Sequence, residues 1–296
     1  MAGGGRLDAR LDGRLDGRLD GHSAGRPIEF ANPRQTLPVS VTGTTCGLSC
    51  AHCGGYYLRG MSSLADAQRR AAAGRLKSVL VSGGCDGRGA VPLAGHADEL
   101  RRLKGMGVRL NLHVGLIDEA GAAAVAGLGE TASFDYVGDA AVAREVYGVQ
   151  VEAGAYERAY AALRRHAPRV VPHLCLGLLG GGESGEERAL EQLAAAGVPA
   201  LVFLVLIPTP GTRYAGREPP PLERVAGLFA MARGLFPATP LMLGCMRPTG
   251  AYRRELDVLA VRAGLDGIVL PARAAQDEAR RLGRPVRWRE ECCALP

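Results

Sequence analysis

Three cysteines lie close together in the stretch Thr-Thr-Cys-Gly-Leu-Ser-Cys-Ala-His-Cys-Gly-Gly. They are Cys46, Cys50 and Cys53, so their spacing is Cys-x-x-x-Cys-x-x-Cys. Thiolates at this spacing can bind three irons of a four-iron cluster and leave the fourth iron open. An open iron can bind the amino and carboxylate groups of S-adenosylmethionine (SAM), and an electron from the cluster can then break a carbon–sulfur bond and release a 5'-deoxyadenosyl radical.

Two other roles for these thiols fit the sequence less well. Structural zinc normally takes four ligands in paired Cys-x-x-Cys units, and no matching second pair follows. A ferredoxin-like electron carrier also binds clusters through cysteine, yet it does not need a chain of 296 residues with many strand and helix segments. A SAM-binding cluster is therefore the leading interpretation, with zinc binding and electron transfer as alternatives.

Four further cysteines could meet at one opening of the fold: Cys85, Cys245 and the adjacent pair Cys292 and Cys293. The last two lie in a C-terminal tail, residues 285–296, which we expect to fold back over the mouth of the fold. Thiolates gathered there could hold a second iron–sulfur cluster. The alternative is that Cys85 and Cys245 are small buried apolar side chains and that the tail has no chemical role. Cys175, inside an apolar run, is the cysteine that we expect to be purely structural.

The composition is typical of a cytoplasmic globular enzyme. With 296 residues, 47% of them hydrophobic and 22% charged, the chain can bury one large core in a single domain. Its formal charge of +6 comes mostly from arginine, because Lys77 and Lys104 are the only lysines. The arginines are scattered, without a basic stripe or interleaved aromatic residues, so we expect no nucleic-acid binding. A basic surface remains compatible with an acidic substrate or carrier protein.

The chain begins with a four-residue repeat. Arg-Leu-Asp-Ala is followed by three copies of Arg-Leu-Asp-Gly, which end near Gly21. Repeated glycine and little apolar surface predict a disordered leader over residues 1–26. We find no secretory signal and no apolar run of the roughly 18 residues that a membrane span needs. The eight cysteines lack the spacing of a disulfide framework, so we expect reduced thiols in the cytoplasm and no membrane association.

From residue 37 onward, short apolar runs alternate with helix-like segments. The predicted strands span residues 38–43, 78–83, 108–114, 133–137, 170–176, 200–207, 241–244 and 267–270. Apolar residues recur at helical spacing in 64–73, 186–196 and 222–235. Eight strand–helix units in about 250 residues predict a single (β/α)8 TIM-like barrel over residues 37–284. A doubly wound open sheet is the alternative, but no Gly-x-Gly-x-x-Gly follows the first strand, which disfavours its nucleotide-binding form.

In a parallel barrel, ligands bind at the carboxyl ends of the strands. The candidate cofactor-binding residues at these ends are Ser82, Gly83, Gly84, Asp135, Asp139 and Ile207, with His52 beside the third cysteine. Gly83 and Gly84 would let backbone carbonyl groups approach the ammonium group of SAM, whereas the simpler interpretation is a tight turn. His52 could pack over the adenine ring or the cluster edge, or could face solvent.

Alternation along the predicted strands places several polar residues on common faces. Asn111 and His113 share one face of their strand, and His173 shares a face with Cys175. Several such residues pointing inward would line a polar lumen suited to a bound substrate. The alternative for each imidazole taken singly is a hydrogen-bonded histidine of the core.

Five segments extend the similarity beyond the three cysteines. They are residues 46–61, Ser-Gly-Gly-Cys-Asp at 82–86, Phe-Asp-Tyr-Val-Gly-Asp at 134–139, Val-Leu-Ile-Pro-Thr-Pro-Gly-Thr at 205–212 and Gly-Cys-Met-Arg-Pro at 244–248. With these segments the chain, from about residue 37 to the end, resembles the biotin-synthase-like radical SAM proteins. Within that group it most resembles the two-component, archaeal-type lipoyl synthases. The cysteine motif is highly specific for the superfamily, and the other segments are moderately specific for the branch.

The resemblance implies sulfur insertion into a protein-bound octanoyl chain. The radical would take hydrogen from an unactivated carbon, and a sulfide of an auxiliary cluster would capture the carbon radical. Cys46, Cys50 and Cys53 would carry the SAM cluster, while the auxiliary cluster would use Cys245, Cys292, Cys293 and Cys85. The expected partners are an octanoylated carrier protein or peptide, a second related radical SAM subunit, and an electron donor such as ferredoxin or flavodoxin.

Two departures from biotin synthase itself limit the resemblance. Biotin synthases have a tyrosine where this chain has His52, and an Asn-rich motif where this chain has residues 134–139. Biotin synthesis is therefore disfavoured. Another radical SAM reaction, such as methylation or rearrangement, is the alternative to sulfur insertion, and the tail cysteines would then only tune or cover the site.

Overall fold

A computed structural model describes residue 23 and residues 25–296. The four-residue repeats, and with them nearly all of the leader predicted over residues 1–26, lie outside the described residues. In the part of the chain that the structure describes, no helix is long and apolar enough to cross a membrane.

Ten parallel strands form a single sheet. Their bounds are β1 Ile28–Ala31, β2 Thr36–Ser40, β3 Ser78–Ser82, β4 Arg109–His113, β5 Thr131–Asp135, β6 Val170–Leu176, β7 Leu201–Val205, β8 Leu241–Leu243, β9 Gly267–Val269 and β10 Val286–Arg289. The strand order is β10-β1-β9-β8-β7-β6-β5-β4-β3-β2. The sheet curls into an open half-barrel whose edge strands are β10 and β2. We call the space on its concave side the lumen.

From β2 onward, helices connect successive strands. Among the described residues they are α1 Leu64–Ala72, α2 Ala97–Gly105, α3 Glu119–Ala124, α4 Ala140–Tyr147, α5 Ala155–His166, α6 Glu186–Ala196, α7 Leu222–Leu235, α8 Gly250–Arg262 and α9 Arg273–Arg281. Short polar side chains mark several of their starts because they satisfy unpaired backbone N–H groups of the first turn. Ser63 and Asp66 form a reciprocal capping box at α1, and Asp118 accepts a hydrogen bond from the backbone of α3.

The TIM-like α/β fold expected from the sequence is confirmed. All eight predicted strands form, as β2 to β9, and the three segments predicted to be helical form α1, α6 and α7. The sheet also contains β1 and β10, which were not predicted. They pair with each other, and β1 pairs with β9, so together they extend the sheet beyond the predicted bounds of 37–284.

The two faces of the sheet bury different sets of side chains. Residues such as Val170 and Phe203 point outward and pack against the helices in one large core. Their sequence neighbours Val171 and Val202 point to the other face. They belong to a small separate cluster inside the lumen. This alternation follows from the two-residue period of a strand. Apolar side chains therefore pack together inside the lumen, separately from the main core.

The sequence predicted that the C-terminal tail would cover the mouth of the barrel. In the structure the tail instead closes the opposite end, at the amino ends of the strands. The Cys292 backbone N–H donates to Oγ1 of Thr36, the first residue of β2, at 2.8 Å. Nη1 of Arg109, the first residue of β4, donates to the Pro296 carbonyl at 3.0 Å. Ala294 is fully buried against Val171 and its neighbours in the inner cluster.

Charge pairing and strand β10 explain this direction of the tail. Pairing with β1 carries the chain past the edge of the sheet, and Arg289 at the end of β10 contacts Glu29 at 3.0 Å. Glu291 then pairs with Arg109 across the amino ends of the strands. The two partners of each pair lie about 180 to 260 residues apart in sequence, so a local sequence pattern cannot predict these contacts.

A buried ion pair holds the segment that follows β8. Arg247 and Asp257 are both fully buried, and the guanidinium donates to the two carboxylate oxygens at 2.7 and 2.9 Å. Arg247 also donates to the backbone carbonyl of Gly244. The pair therefore fixes the loop that carries Cys245 against α8.

Replacing Asp257 with Asn should destabilise the protein strongly, because it leaves the buried Arg247 guanidinium without a counter-charge. We expect a loss of about 3–5 kcal/mol in the free energy of unfolding, measured by urea denaturation. Asp98→Asn removes an exposed partner of Arg101 and should cost less than about 1 kcal/mol. Equal stabilities for the two variants would contradict the structural role of the buried pair.

Candidate cluster site and lumen

The cysteine loop, residues 41–55, lies over the carboxyl ends of the strands and is fixed by backbone hydrogen bonds to neighbouring elements. The Gly47 N–H donates to the carbonyl of Cys85 after β3, at 2.7 Å. The Ala51 N–H donates to Val146 in α4, also at 2.7 Å, and the Ala51 carbonyl accepts from Tyr214 at 2.9 Å. The loop is thus attached on three sides before any ligand is bound.

Gly84 is needed because the cysteine loop passes directly over it. A Cβ at Gly84 would lie 2.0 Å from the Thr45 carbonyl oxygen and 2.5 Å from Cα of Cys46. The Gly84 N–H also donates to Oγ1 of Thr42 at 2.7 Å. Gly83 is less crowded, with Thr42 and Val41 side chains at 3.1 Å from the same hypothetical atom. The space beside Gly84 is therefore occupied by the loop's own backbone.

The thiols of the loop interact with one another. A hydrogen bond from Cys50 lowers the pKa of Cys53 to about 7, even though burial opposes the thiolate. The same contact, together with burial and the nearby Cys46 and Cys85 sulfurs, raises the pKa of Cys50. Only one of the two adjacent thiols therefore ionises easily when no cation is bound. A positively charged iron core would remove this conflict.

Cys85 lies with the first three cysteines. Its backbone carbonyl accepts the hydrogen bond from Gly47, and the Cys46 Sγ lies 4.0 Å from that oxygen. Burial, followed by the charges of Cys46 and nearby acids, raises the pKa of the Cys85 thiol to about 12. The structure thus separates Cys85 from the tail cysteines with which the sequence grouped it.

The cysteine loop offers three thiols as donors. Within residues 23 and 25–296, no group of three or more His, Cys, Asp or Glu side chains is placed to hold one ion. Cys46, Cys50 and Cys53 are nevertheless close enough for their charges to affect one another. Thiolates are the donor type that iron–sulfur clusters take.

His52 points away from solvent. Its ring meets the ring of Tyr147 edge-on, with centroids 5.7 Å apart, and its Nδ1 is buried without a hydrogen-bond partner. Burial lowers the pKa of His52, although the charge of Asp135 acts in the opposite direction. The hydrogen-bonding capacity of this nitrogen, beside Cys53, is therefore unused within the described protein.

The remaining candidates at the strand ends, Ser82, Asp139 and Ile207, each contact a different part of the protein. The Ser82 carbonyl accepts from the Val41 N–H at 2.8 Å, which ties β3 to the cysteine loop. Asp139 caps α4, since its Oδ1 accepts from the Ala141 N–H at 2.7 Å. The Ile207 carbonyl accepts from the Thr209 hydroxyl at 3.0 Å within a local turn. The structure therefore gives each of them a contact with the protein itself.

Asp135, His113 and His173 form a polar group inside the lumen. Nε2 of His113 lies 3.3 Å from Oδ1 of Asp135, and the two imidazole centroids are 5.8 Å apart. Burial disfavours the carboxylate, yet His113 outweighs it and lowers the Asp135 pKa to about 2. Burial likewise opposes protonation of His113, but Asp135 raises its pKa overall. The Asp135 side chain remains 43% exposed, and this exposed surface faces the lumen.

The tail cysteines lie at the bottom of the same lumen. Asn111 is 1% exposed, accepts from the Ser133 hydroxyl at 2.9 Å and donates to the Cys292 Sγ at 3.5 Å. A hydrogen bond from Cys293, helped by Asn111, lowers the pKa of Cys292 to about 6 despite burial. Burial and the charge of Cys292 raise the pKa of Cys245. The structure thus brings Cys245, Cys292 and Cys293 into one electrostatic group.

Three contributors to the site were missed from the sequence. The Thr42 hydroxyl holds Gly84, and the Tyr57 hydroxyl lies 2.7 Å from that of Thr209 above the lumen. Glu186, 1% exposed, accepts hydrogen bonds from Gly177 and Ser184 and so shapes the loop after β6. Glu186, an acidic residue at the start of α6, was the one signal in the sequence. It was ambiguous, because helix N-termini favour acidic residues in general.

No protein-family model and no curated protein sequence matches this chain. Among solved structures, methylornithine synthase has a TM-score of 0.61 at 16% identity, covering 94% of this chain and 89% of that one. The FeFe-hydrogenase maturase HydG from Carboxydothermus hydrogenoformans has a TM-score of 0.63 at 16% identity, covering 90% of this chain and 64% of that one.

A third similar structure contains a ligand. Streptococcus suis SuiB bound to S-adenosylmethionine has a TM-score of 0.51 at 12% identity, covering 90% of this chain and 64% of SuiB. At such identities the similarity establishes the fold. The chain therefore has the TIM-like α/β fold of radical SAM enzymes.

Replacing Gly84 with Ala should displace the cysteine loop, because the new methyl group overlaps backbone atoms of Thr45 and Cys46. We expect loss of most bound iron after anaerobic reconstitution, with far-UV circular dichroism unchanged. Gly87→Ala is the matched control, since nothing lies within 4 Å of a Cβ at Gly87. Full iron binding by the Gly84 variant would show that the loop is not held in this way.

Proposed function

We propose that this protein is a radical SAM enzyme. The observation that carries the proposal is the cysteine loop: Cys46, Cys50 and Cys53 lie together at the carboxyl edge of a radical SAM-type sheet. They would hold a four-iron cluster with one open iron. When bound, this cluster supplies the electron that cleaves SAM to a 5'-deoxyadenosyl radical.

The chain's own residues would position the cofactors and enclose the reaction. The Gly84 contact and the Gly47–Cys85 hydrogen bond keep the loop over the lumen. His52 keeps a buried Nδ1 with no hydrogen-bond partner in the protein, and Asp135, paired with His113 at 3.3 Å, keeps part of its carboxylate exposed. The exposed part of the Asp135 carboxylate can contact the polar groups of SAM, and the closed amino end limits access of water to the radical.

Cys50→Ala should abolish SAM cleavage by dithionite-reduced protein, because two thiolates cannot hold the cluster with the same open iron. The measurement is 5'-deoxyadenosine formation by chromatography. Cys175→Ala is the matched control, since Cys175 lies within β6 and outside the cysteine loop. It should retain bound iron and SAM cleavage.

The outcome also separates the enzyme from the rival class. A protein that reconstitutes a cluster but forms no 5'-deoxyadenosine in the wild type would be an electron carrier. Full SAM cleavage by Cys50→Ala would contradict the assignment of the ligands.

The finer proposal is sulfur insertion into a protein-bound octanoyl chain. It is supported by the resemblance to archaeal-type lipoyl synthases and by the group formed by Cys245, Cys292 and Cys293. These three thiols, without Cys85, would hold the second cluster inside the lumen. We further propose the octanoylated carrier, the second related subunit and the ferredoxin- or flavodoxin-like reductant as partners, on the resemblance alone.

Replacing Cys292 and Cys293 together with Ala should lower iron and sulfide content by the share of one cluster and leave SAM cleavage measurable. The reason is that these residues contact the bottom of the lumen and not the cysteine loop. Iron and sulfide analysis with Mössbauer spectra provides the readout, with Cys175→Ala as the control. Unchanged iron content would refute the second cluster and with it the proposed sulfur insertion.

A further inference from the structure

One row of side chains crosses the lumen from a polar to an apolar wall. The strand registers pair Asp135 with His173, His173 with Val202, and Val202 with Met242. Val202 and Met242 belong to the inner apolar cluster, and the half-buried Leu204 packs against it. Asp135 lies on the opposite side with His113. His173 is thus the residue at the boundary.

The hydrogen bonds of His173 define which of its nitrogens carries a proton. Nδ1 lies 3.1 Å from the backbone carbonyl oxygen of Val171. A carbonyl oxygen can only accept, so Nδ1 must be the donor and Nε2 of the neutral ring has a free lone pair. The Nε2 atom has no hydrogen-bond partner among the described side chains and backbone groups, and it is not among the fully buried polar atoms. Burial and the neighbouring His113 lower the His173 pKa to about 4, which is consistent with a neutral ring.

The boundary position of this acceptor implies a matching ligand. A group that approaches His173 meets two acceptors, the Nε2 lone pair and the Asp135 carboxylate. The adjacent part of the same molecule meets the half-buried Leu204, which the buried Val202 and Met242 support from behind. An aliphatic segment next to an N–H or O–H donor satisfies both walls, whereas a second acceptor or an anion beside His173 would not.

We propose that His173 is a specificity-determining residue. It accepts a hydrogen bond from an N–H donor on a substrate whose aliphatic segment lies against the apolar side of the lumen at Leu204. The inference rests on the proposed function, because it concerns the substrate of the same lumen. It distinguishes an acyl chain joined through a secondary amide from one joined through a linkage that has no donor.

The test compares two probes of nearly equal size, N-methyloctanamide and N,N-dimethyloctanamide, of which only the first has an N–H group. Dissociation constants are measured by saturation-transfer NMR on reconstituted full-length protein with SAM and without reductant. The wild type should bind N-methyloctanamide about tenfold more tightly, the effect of one satisfied hydrogen bond in a partly dry site. Equal affinities, or no binding of either probe, would overturn the proposal.

The variant His173→Phe keeps an aromatic ring of similar size but has no acceptor. It should weaken binding of N-methyloctanamide about tenfold and leave N,N-dimethyloctanamide unchanged. His96→Phe, which removes a surface imidazole paired with Glu99, is the control and should change neither affinity. A preference for the secondary amide that persists in His173→Phe would contradict the role of the imidazole.

A wild-type measurement covers the case in which His173→Phe fails to fold. In ¹⁵N-histidine-labelled protein, one imidazole should show an unprotonated Nε2 whose resonance shifts on addition of N-methyloctanamide but not of N,N-dimethyloctanamide. No such difference would overturn the proposal. SAM cleavage is assayed in parallel: if cleavage occurs and the probes do not differ, only this inference fails, and if cleavage is absent, the proposed function fails independently.

Discussion

The close contact between two backbones organises the candidate active site. The cysteine loop crosses the end of β3 so tightly that only glycine fits at position 84, and the Gly47–Cys85 hydrogen bond fastens the crossing. Because parallel strands end at the same edge, this one crossing positions three thiols above the lumen and brings Cys85 beside them. The polar group around Asp135 and the thiols at the bottom of the barrel acquire a chemical role only under a loop held in this place.

Much of the fold could be predicted from local pattern. β2 to β9 are apolar runs bounded by turn residues, and helices such as α6 show apolar residues at a period of 3.6. The strands β1 and β10 could not be predicted, since each has four residues and pairs with partners more than 200 residues away. The direction of the tail depends on the contact of Glu291 with Arg109, which a sequence pattern does not show.

The candidate site was predictable to a different degree at each residue. The spacing of Cys46, Cys50 and Cys53 follows from the requirements of cluster ligation, and the structure keeps them together. For Gly84 and Asp139, residue type alone could not decide between binding a ligand and making a protein contact. A glycine allows both a ligand and a passing backbone to approach, and an aspartate both caps a helix and binds polar groups. The structure shows the protein contact at both positions.

The buried Ala294 and the ion pair of Glu291 close the amino end of the half-barrel. Any molecule that reaches the level of Cys292 from the opposite end must first pass the level of the cysteine loop. Two ligands that share this route cannot arrive in either order with equal ease, because the one bound higher blocks the one bound lower. For molecules that enter from the cysteine-loop end, the tail therefore sets an order in which the deepest molecule enters first and leaves last.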